Sequence, residues 1–419
     1  MRLTLVAALC AATVPAGVCA QSGSSPPWIR LAGEAIPVLT GTNAVPGGAA
    51  TAEARLVQPV LMVQAGALAD RVRLDAMADL EGWTIPNGEL TAGAYGEGFY
   101  DRRHPHTYVH ELMVTLPDVL RDLGGPAGLA LAAGKGFAPF GTDDPMGRPP
   151  MLYPVNHHLS QLLERAVAVA ALRTARDHVT IEGGLFNGDE PEYPSEWPNW
   201  TRFGDSWSVR LTVAPAAGLE WQGSRAHVHS PEHRPGAGTD AEKWSTSLRW
   251  ERGPRYGLLE WAQTSEAGGL YVFHTLLAEG AWRIGRHRPY LRLERTERPE
   301  DQRVSDDEFR SARPHLDNSI VGATRWSIGT IGYGYGAPVA AGRLTVQPTI
   351  EAAIARVARV GSGLFDPAVF YGRRTLYSIS FGVRIDWGMA GHRMGHYAGA
   401  PMPPGMAMPG MEHQVSEAR

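Results

Sequence analysis

Between Leu56 and Trp387 the chain alternates apolar and polar positions in one segment after another. The last such segment, Arg374–Trp387, reads RTLYSISFGVRIDW. Thr375, Tyr377, Ile379, Phe381, Val383, Ile385 and Trp387 share one parity. Arg374, Ser378, Ser380, Arg384 and Asp386 share the other, with Leu376 and Gly382. Successive side chains of a strand point to opposite sides, so this segment has an apolar, aromatic-ended face and a charged face. It is long for a soluble strand and of the right length for a tilted strand crossing a bilayer.

The pattern recurs upstream. Val72, Leu74, Ala76 and Ala78 alternate with Arg71, Arg73, Asp75 and Asp79. Trp207, Val209, Leu211 and Val213 alternate with Ser206, Ser208, Arg210 and Thr212. Trp244, Leu248 and Trp250 oppose Lys243, Arg249 and Glu251; Leu291 and Leu293 oppose Arg292 and Glu294; Leu344, Val346, Ile350 and Ile354 oppose Arg343, Gln347 and Glu351. A soluble sandwich also alternates, but repetition of charge on one face and Leu, Val, Ile or Trp on the other fits a polar lumen inside a lipid-facing belt. Ala166–Leu172 suits helix or strand, and the alternation flanking it favours strand.

Short connections, Pro215–Gly218 and Gly253–Arg255, read as hairpins, whereas Gly188–Phe203, Ser230–Ala241, Arg298–Asn318 and Gly361–Arg373 read as long polar loops. Trp250, Trp261, Trp282, Trp326, Tyr333, Tyr335 and Trp387 fall toward segment ends, where amphipathic rings favour the membrane interface over a plain core. The expectation is an all-β, transmembrane antiparallel β-barrel of about 16 strands over residues 55–387.

Address and composition agree. Residues 1–20 have a basic start at Arg2, an apolar run from Leu3 to Ala16 and a small-residue cleavage site, Val18-Cys19-Ala20, as in a secretory signal peptide. Both cysteines, Cys10 and Cys19, lie within it, which removes disulfides and cysteine metal sites from the expected mature chain. A formal net charge of −4 gives no basic signature for nucleic acid. No later apolar run is long enough for a membrane helix, and a closed barrel spans lipid without one. Residues 21–54, rich in Gly, Ser, Pro and Ala, read as a flexible periplasmic lead-in, and residues 388–419 as a Met/His-rich disordered tail.

Within Ala132–Gly188, GKGFAPFGTDDPM is followed by LSQLLERAVAVAAL and HVTIEGGLFNGDEP. This glycine-bearing strand, Asp/Pro loop, Glu-Arg pair and strand ending Phe-Asn-Gly resemble the phosphate-selective porin group of bacterial outer membranes and its general porin relatives. The resemblance implies a barrel of about sixteen strands, usually a homotrimer, with an inward-folded constriction loop at Phe137–His158. Two features depart from it: 32 residues follow Trp387, and there is no clustered basic ladder for phosphate.

Charges on the lumen side of a pore set its selectivity. The candidates are Arg71, Arg73, Asp75, Arg210, Arg249, Arg292, Glu294, Arg325, Glu351 and Arg384, of both signs, some of which would pair and merely stiffen the wall. Asp143 and Asp144 fall in the expected constriction loop, as anion-repelling groups or as turn-stabilising residues before Pro145. Histidines cluster at His104, His106 and His110, at His157 and His158, and at His227, His229 and His233, where solvated loop histidines compete with metal ligation. The tail carries His392, Met394, His396, Met406, Met408, Met411 and His413; thioethers suit Cu(I) and imidazoles Cu(II), and a functionless low-complexity tail is the plain alternative. Ser160 after His157-His158 is the one nucleophile–base neighbourhood, without an elbow motif, so no enzyme is expected.

These features predict a porin-like channel in the outer membrane of a Gram-negative bacterium, in contact with outer-membrane lipid and passing small hydrophilic solutes or ions by passive diffusion. No cofactor is needed; the tail is a candidate copper-binding segment. The alternative is a copper-resistance barrel with a metal-binding periplasmic tail.

Overall fold

The computed structural model describes residues 26–84, 106–120, 127–142, 147–155, 159, 161–174, 178–191, 193–231, 235–301, 320–339, 344–388 and 393–397. They form a closed antiparallel β-barrel of 16 strands. The strands are β1 (Trp28–Thr42), β2 (Thr51–Ala67), β3 (Val72–Asp79), β4 (Val109–Leu116), β5 (Ala127–Gly136), β6 (Arg165–Thr174), β7 (Val179–Phe186) and β8 (Ser206–Ala216). Then come β9 (Leu219–Val228), β10 (Ala241–Arg252), β11 (Arg255–Glu266), β12 (Tyr271–Trp282), β13 (His287–Asp301) and β14 (Ile320–Tyr335). A short β15 (Ala337–Val339) continues β14 beyond Gly336; both pair with β16 (Leu344–Val360), which precedes β17 (Thr375–Trp387). Each strand pairs with its sequence neighbour, and β1 closes the ring on β17, with Gly33 opposite Trp387 and Thr42 opposite Ser378.

Closure explains why so much apolar surface points outward. Ile379 and Phe381 are 47% and 54% exposed, whereas Ser380 between them is 1% exposed and Arg384 8%. The same outward belt includes Leu61, Leu131, Ile181, Leu259, Leu293 and Ile354. In lipid every backbone group must be paired internally, which strands achieve only as a closed ring. Trp250, Trp282, Tyr333, Tyr335 and Trp387 ring the exposed face at the short-turn end, as interfacial aromatics do.

Connections 217–218 and 253–254 are tight turns, and both described ends of the barrel, Trp28 and Trp387, lie at this end. The opposite end carries the longer connections 80–108, 137–164, 187–205 and 302–319. One connection there, 267–270, is short.

Three expectations change. The barrel begins at Trp28, inside the stretch read as a flexible lead-in: β1 pairs along its length with β2 and β17. Its Gly, Ala and Pro residues obscured the alternation, yet Ile29, Leu31 and Leu39 face outward while Glu34, Ile36, Val38 and Thr40 face in. Without β1 the ring would have two open edges. Trp326 is not part of the interfacial ring. It is 1% exposed inside the barrel, where its face lies 4.4 Å from the Arg298 guanidinium and its Nε1 donates to Thr324 Oγ1 at 3.0 Å. The third change concerns the tail. Residues 1–25 and 398–419 lie outside the described residues, so the signal peptide and most of the tail do too, but Arg393–Tyr397 sits within the lumen.

Candidate functional site: the occupied lumen

The described residues of the connection 137–164 leave β5 and enter the barrel interior rather than rising above it. Phe137, Phe140, Met151, Leu152, Tyr153 and Val155 are all buried. Of the expected inward loop, the described residues 137–142 and 147–155 therefore lie inside the ring. Asp143, Asp144, His157, His158 and Ser160 lie outside the described residues.

The loop is held in two ways. Its backbone is bound by wall charges: the Met151 amide donates to Glu351 Oε2 and the Val155 amide to Glu294 Oε2, both at 2.9 Å. Arg292 Nη1 donates to the Leu152 carbonyl at 2.7 Å and Arg384 Nη1 to the Arg148 carbonyl at 3.1 Å. Its apolar side chains Met151, Leu152 and Tyr153 pack with Ile36, Val38, Val57, Val60, Met62 and Met77 of β1–β3. The approach to the wall is close: a Cβ added to Gly382 would lie 2.2 Å from the Met151 sulfur, so a larger residue there would push the Met151 side chain aside.

Around these anchors the inner wall is a network of paired charges. Arg148, on the loop, meets Glu260 of β11 at 3.0 Å and Glu279 of β12 at 3.8 Å. Arg292 also bonds Glu279 at 2.7 Å, and Glu351 accepts from Tyr290 Oη at 2.8 Å. Arg384 meets Glu34 at 3.1 Å, and Arg210 meets Glu182 at 2.5 Å. Such charges tolerate burial because each meets an opposite charge and further hydrogen-bond partners.

Arg393–Tyr397 adds a second element to the lumen. Gly388, at φ +63° and with the Leu31 carbonyl 2.3 Å from where a Cβ would stand, allows the chain to turn after β17. Arg393 makes two bonds to Glu220 of β9, at 2.6 and 2.8 Å. Arg210 donates to the Gly395 carbonyl, and His396 Nε2 lies 3.1 Å from the Thr142 carbonyl oxygen on the constriction loop. Tyr397 Oη accepts from the Phe137 amide at 2.9 Å. Burial and the neighbouring Glu111 carboxylate, hydrogen-bonded to it, hold the Tyr397 phenol well above its ordinary pKa. The segment thus bonds both the wall and the loop.

Of the ten predicted lumen charges, Arg210, Arg292, Glu294, Glu351 and Arg384 belong to this network. Arg249 faces inward and pairs with Glu251 at 3.0 Å, and Asp75 accepts from Gln64 Nε2 at 2.8 Å. Arg73 pairs with Asp70 near the short-turn end, and Arg71 is exposed in that turn. Arg325 is a correction. It lies on the outer face, paired with Glu297, because the neighbouring inward slot is filled by Trp326. Assigning Arg325 to the lumen and Trp326 to the interface reversed the parity of β14 there.

Five acidic members of the network, Glu34, Glu182, Glu220, Glu260 and Glu279, were missed, although Glu182, Glu220, Glu260 and Glu279 sit on inward-facing strand positions. Of the tail's seven candidate metal ligands, Met394 and His396 are described and are engaged as above, Met394 against the β1–β3 cluster. His392, Met406, Met408, Met411 and His413 lie outside the described residues. His227 and His229 pair with Glu242 at 2.7 Å and Asp240 at 2.6 Å.

A second cluster sits at the long-loop end between β3, β4 and the root of the constriction loop. His106 Nδ1 lies 2.8 Å from Glu81 Oε2 and 3.4 Å from Asp79 Oδ2. His110 Nδ1 is hydrogen-bonded to Glu164, whose carboxylate also accepts from the Thr107 amide at 2.8 Å. Burial alone would raise the Glu164 pKa; His110, Lys135 and His106 beside it hold it below the ordinary carboxylate value.

No family model matches the chain, and no curated protein matches it either. Solved structures do share its fold. In-vitro folded OmpT, an outer membrane protein of Vibrio cholerae in a trimer form, is similar with a TM-score of 0.50 at 8% identity over 87% of this chain and 100% of that one. The anion-selective porin from Comamonas acidovorans is similar with a TM-score of 0.50 at 10% identity over 86% of this chain and 100% of that one. At such identities the likeness is one of fold: a porin-like outer-membrane barrel, with nothing that singles out the phosphate-selective group.

Proposed function

We propose that the protein is a passive-diffusion channel for small hydrophilic solutes or ions in the outer membrane of a Gram-negative bacterium, assembled as a homotrimer. The observation that carries this reading is a ring with an apolar exterior whose interior is lined by charge and crossed by a loop fastened to those charges. A lipid-clad wall around a polar interior is the arrangement of a channel. The wall and its crossing loop carry Arg292, Arg384 and, on the loop, Arg148 against Glu260, Glu279, Glu294 and Glu351, so a transverse field with weak ion preference is expected. The Vibrio cholerae barrel described as a trimer form supports the assembly proposed.

Planar-bilayer recording of refolded protein tests the proposal. Stepwise conductance is expected, grouped in threes for a trimer. Arg393→Ala/Tyr397→Ala, which releases the tail segment from Glu220 and the Phe137 amide, is expected to raise the unitary conductance. Folded protein that gives no steps, with or without these substitutions, would overturn the channel reading.

A further inference from the structure

The Asp79–His106–His110 cluster has the makings of a metal site. An imidazole nitrogen from each histidine and a carboxylate oxygen of Asp79 lie within 4.8 Å of one another, and all three residues are buried. Three chain elements supply them: the end of β3, the connection 80–108 and the start of β4.

His110 would face away from the lumen in a regular strand, since Glu111, Met113 and Thr115 are the buried positions of β4. A bulge re-aims it. Met77 pairs with Glu111, but the next residue, Ala78, pairs with Val109, leaving His110 as the extra residue. Bulges commonly serve to redirect a side chain in this way. His110 is 0% exposed, with its ring centroid 5.1 Å from that of His106.

The simpler account is a pair of histidine–carboxylate hydrogen bonds with no ion. It leaves two buried atoms without a hydrogen-bond partner, Asp79 Oδ2 and His110 Nε2. Buried polar atoms are rarely left so. An ion between them would satisfy both. The outer carboxylates are also where a metal site needs them. A ligating histidine usually gives its second ring nitrogen to a carboxylate, as His110 Nδ1 does to Glu164.

We propose that Asp79, His106 and His110 bind a divalent transition-metal cation of the Zn2+ type inside the long-loop end of the lumen. His110 ligates through Nε2, and Glu164 is a positioning residue. Two imidazoles and one carboxylate suit Zn2+ and leave a fourth position for water. The ion would tie the connection 80–108 to β3, β4 and, through Glu164, the root of the constriction loop.

The test uses the folded full chain in detergent, stripped with EDTA and titrated calorimetrically with zinc chloride. One equivalent is expected at this site, with X-ray absorption at the zinc edge showing imidazole ligands. His110→Gln and, independently, Asp79→Asn should lose that equivalent while retaining the strand signal in circular dichroism. Glu164→Gln should weaken binding by about tenfold or more. The tail control His392→Gln/His396→Gln/His413→Gln should leave the equivalent in place. The proposal is overturned if folded wild-type chain retains no zinc, if His106→Gln/His110→Gln still binds the full amount, or if only the tail variant loses it. None of these outcomes depends on conductance.

Discussion

The two sides of the lumen hold the same loop by different physics. On the β11–β13 and β16–β17 side, Arg292, Arg384, Glu294 and Glu351 bind the backbone of residues 148–155. On the β1–β3 side, Ile36, Val38, Val57, Val60, Met62 and Met77 receive the side chains of Met151, Leu152 and Tyr153. A loop drawn across a barrel leaves its strand ladder and loses those backbone partners. The charged side replaces them, and the apolar side removes greasy side chains from water. Direction comes from the first and depth of insertion from the second.

The comparison can be broken most forcefully on the charged side. Arg292→Met leaves Glu279, Glu294 and Glu351 facing one another without their shared cation. A buried pair broken at one partner costs about 3–5 kcal/mol, read as a lower urea midpoint for unfolding from lipid vesicles. Conductance should also become noisier, because the Leu152 carbonyl loses its donor.

On the apolar side, Met77→Ala should cost about 2–5 kcal/mol by lost burial and the cavity left behind, in the same urea assay. It should leave ion preference unchanged, since no charge moves; a shift in reversal potential would mean the two sides are not separable. Outside the comparison, Ile354→Arg places a charge on the lipid face and should cost about 2–4 kcal/mol if that position is near the membrane midplane. Ala355→Ser, one position away and facing inward, should cost far less. Equal effects would refute the inside–outside assignment. The smallest effect is expected at Tyr397→Phe, which removes the hydroxyl between the Phe137 amide and Glu111. About 1 kcal/mol is expected for the lost hydrogen bonds, visible as faster amide exchange at Phe137.

Legibility followed the regularity of the wall. Where polar and apolar residues alternate cleanly, as in β3, β8 and β17, facing was readable; Arg210, Arg292, Glu351 and Arg384 face the interior in the structure. It failed where small residues carry no parity signal, in β1, and where the inner slot is apolar, at Trp326. The upper wall there is apolar too: Ile328, Val357 and Leu376 are buried beside it. His110 was unreadable for another reason. A bulge is a mismatch between two strands, and no single strand's sequence records it.

By itself the sequence determined that a ring of strands would face lipid outward and charge inward, because a period of two is local to each strand and needs no partner to be expressed. Tertiary structure decided which strand closes the ring, which wall charges pair, and that residues 148–155 and 393–397 enter the lumen. Those outcomes depend on groups far apart in the chain, Arg384 with the Arg148 carbonyl and Arg393 with Glu220, brought within hydrogen-bond reach only once the barrel has closed.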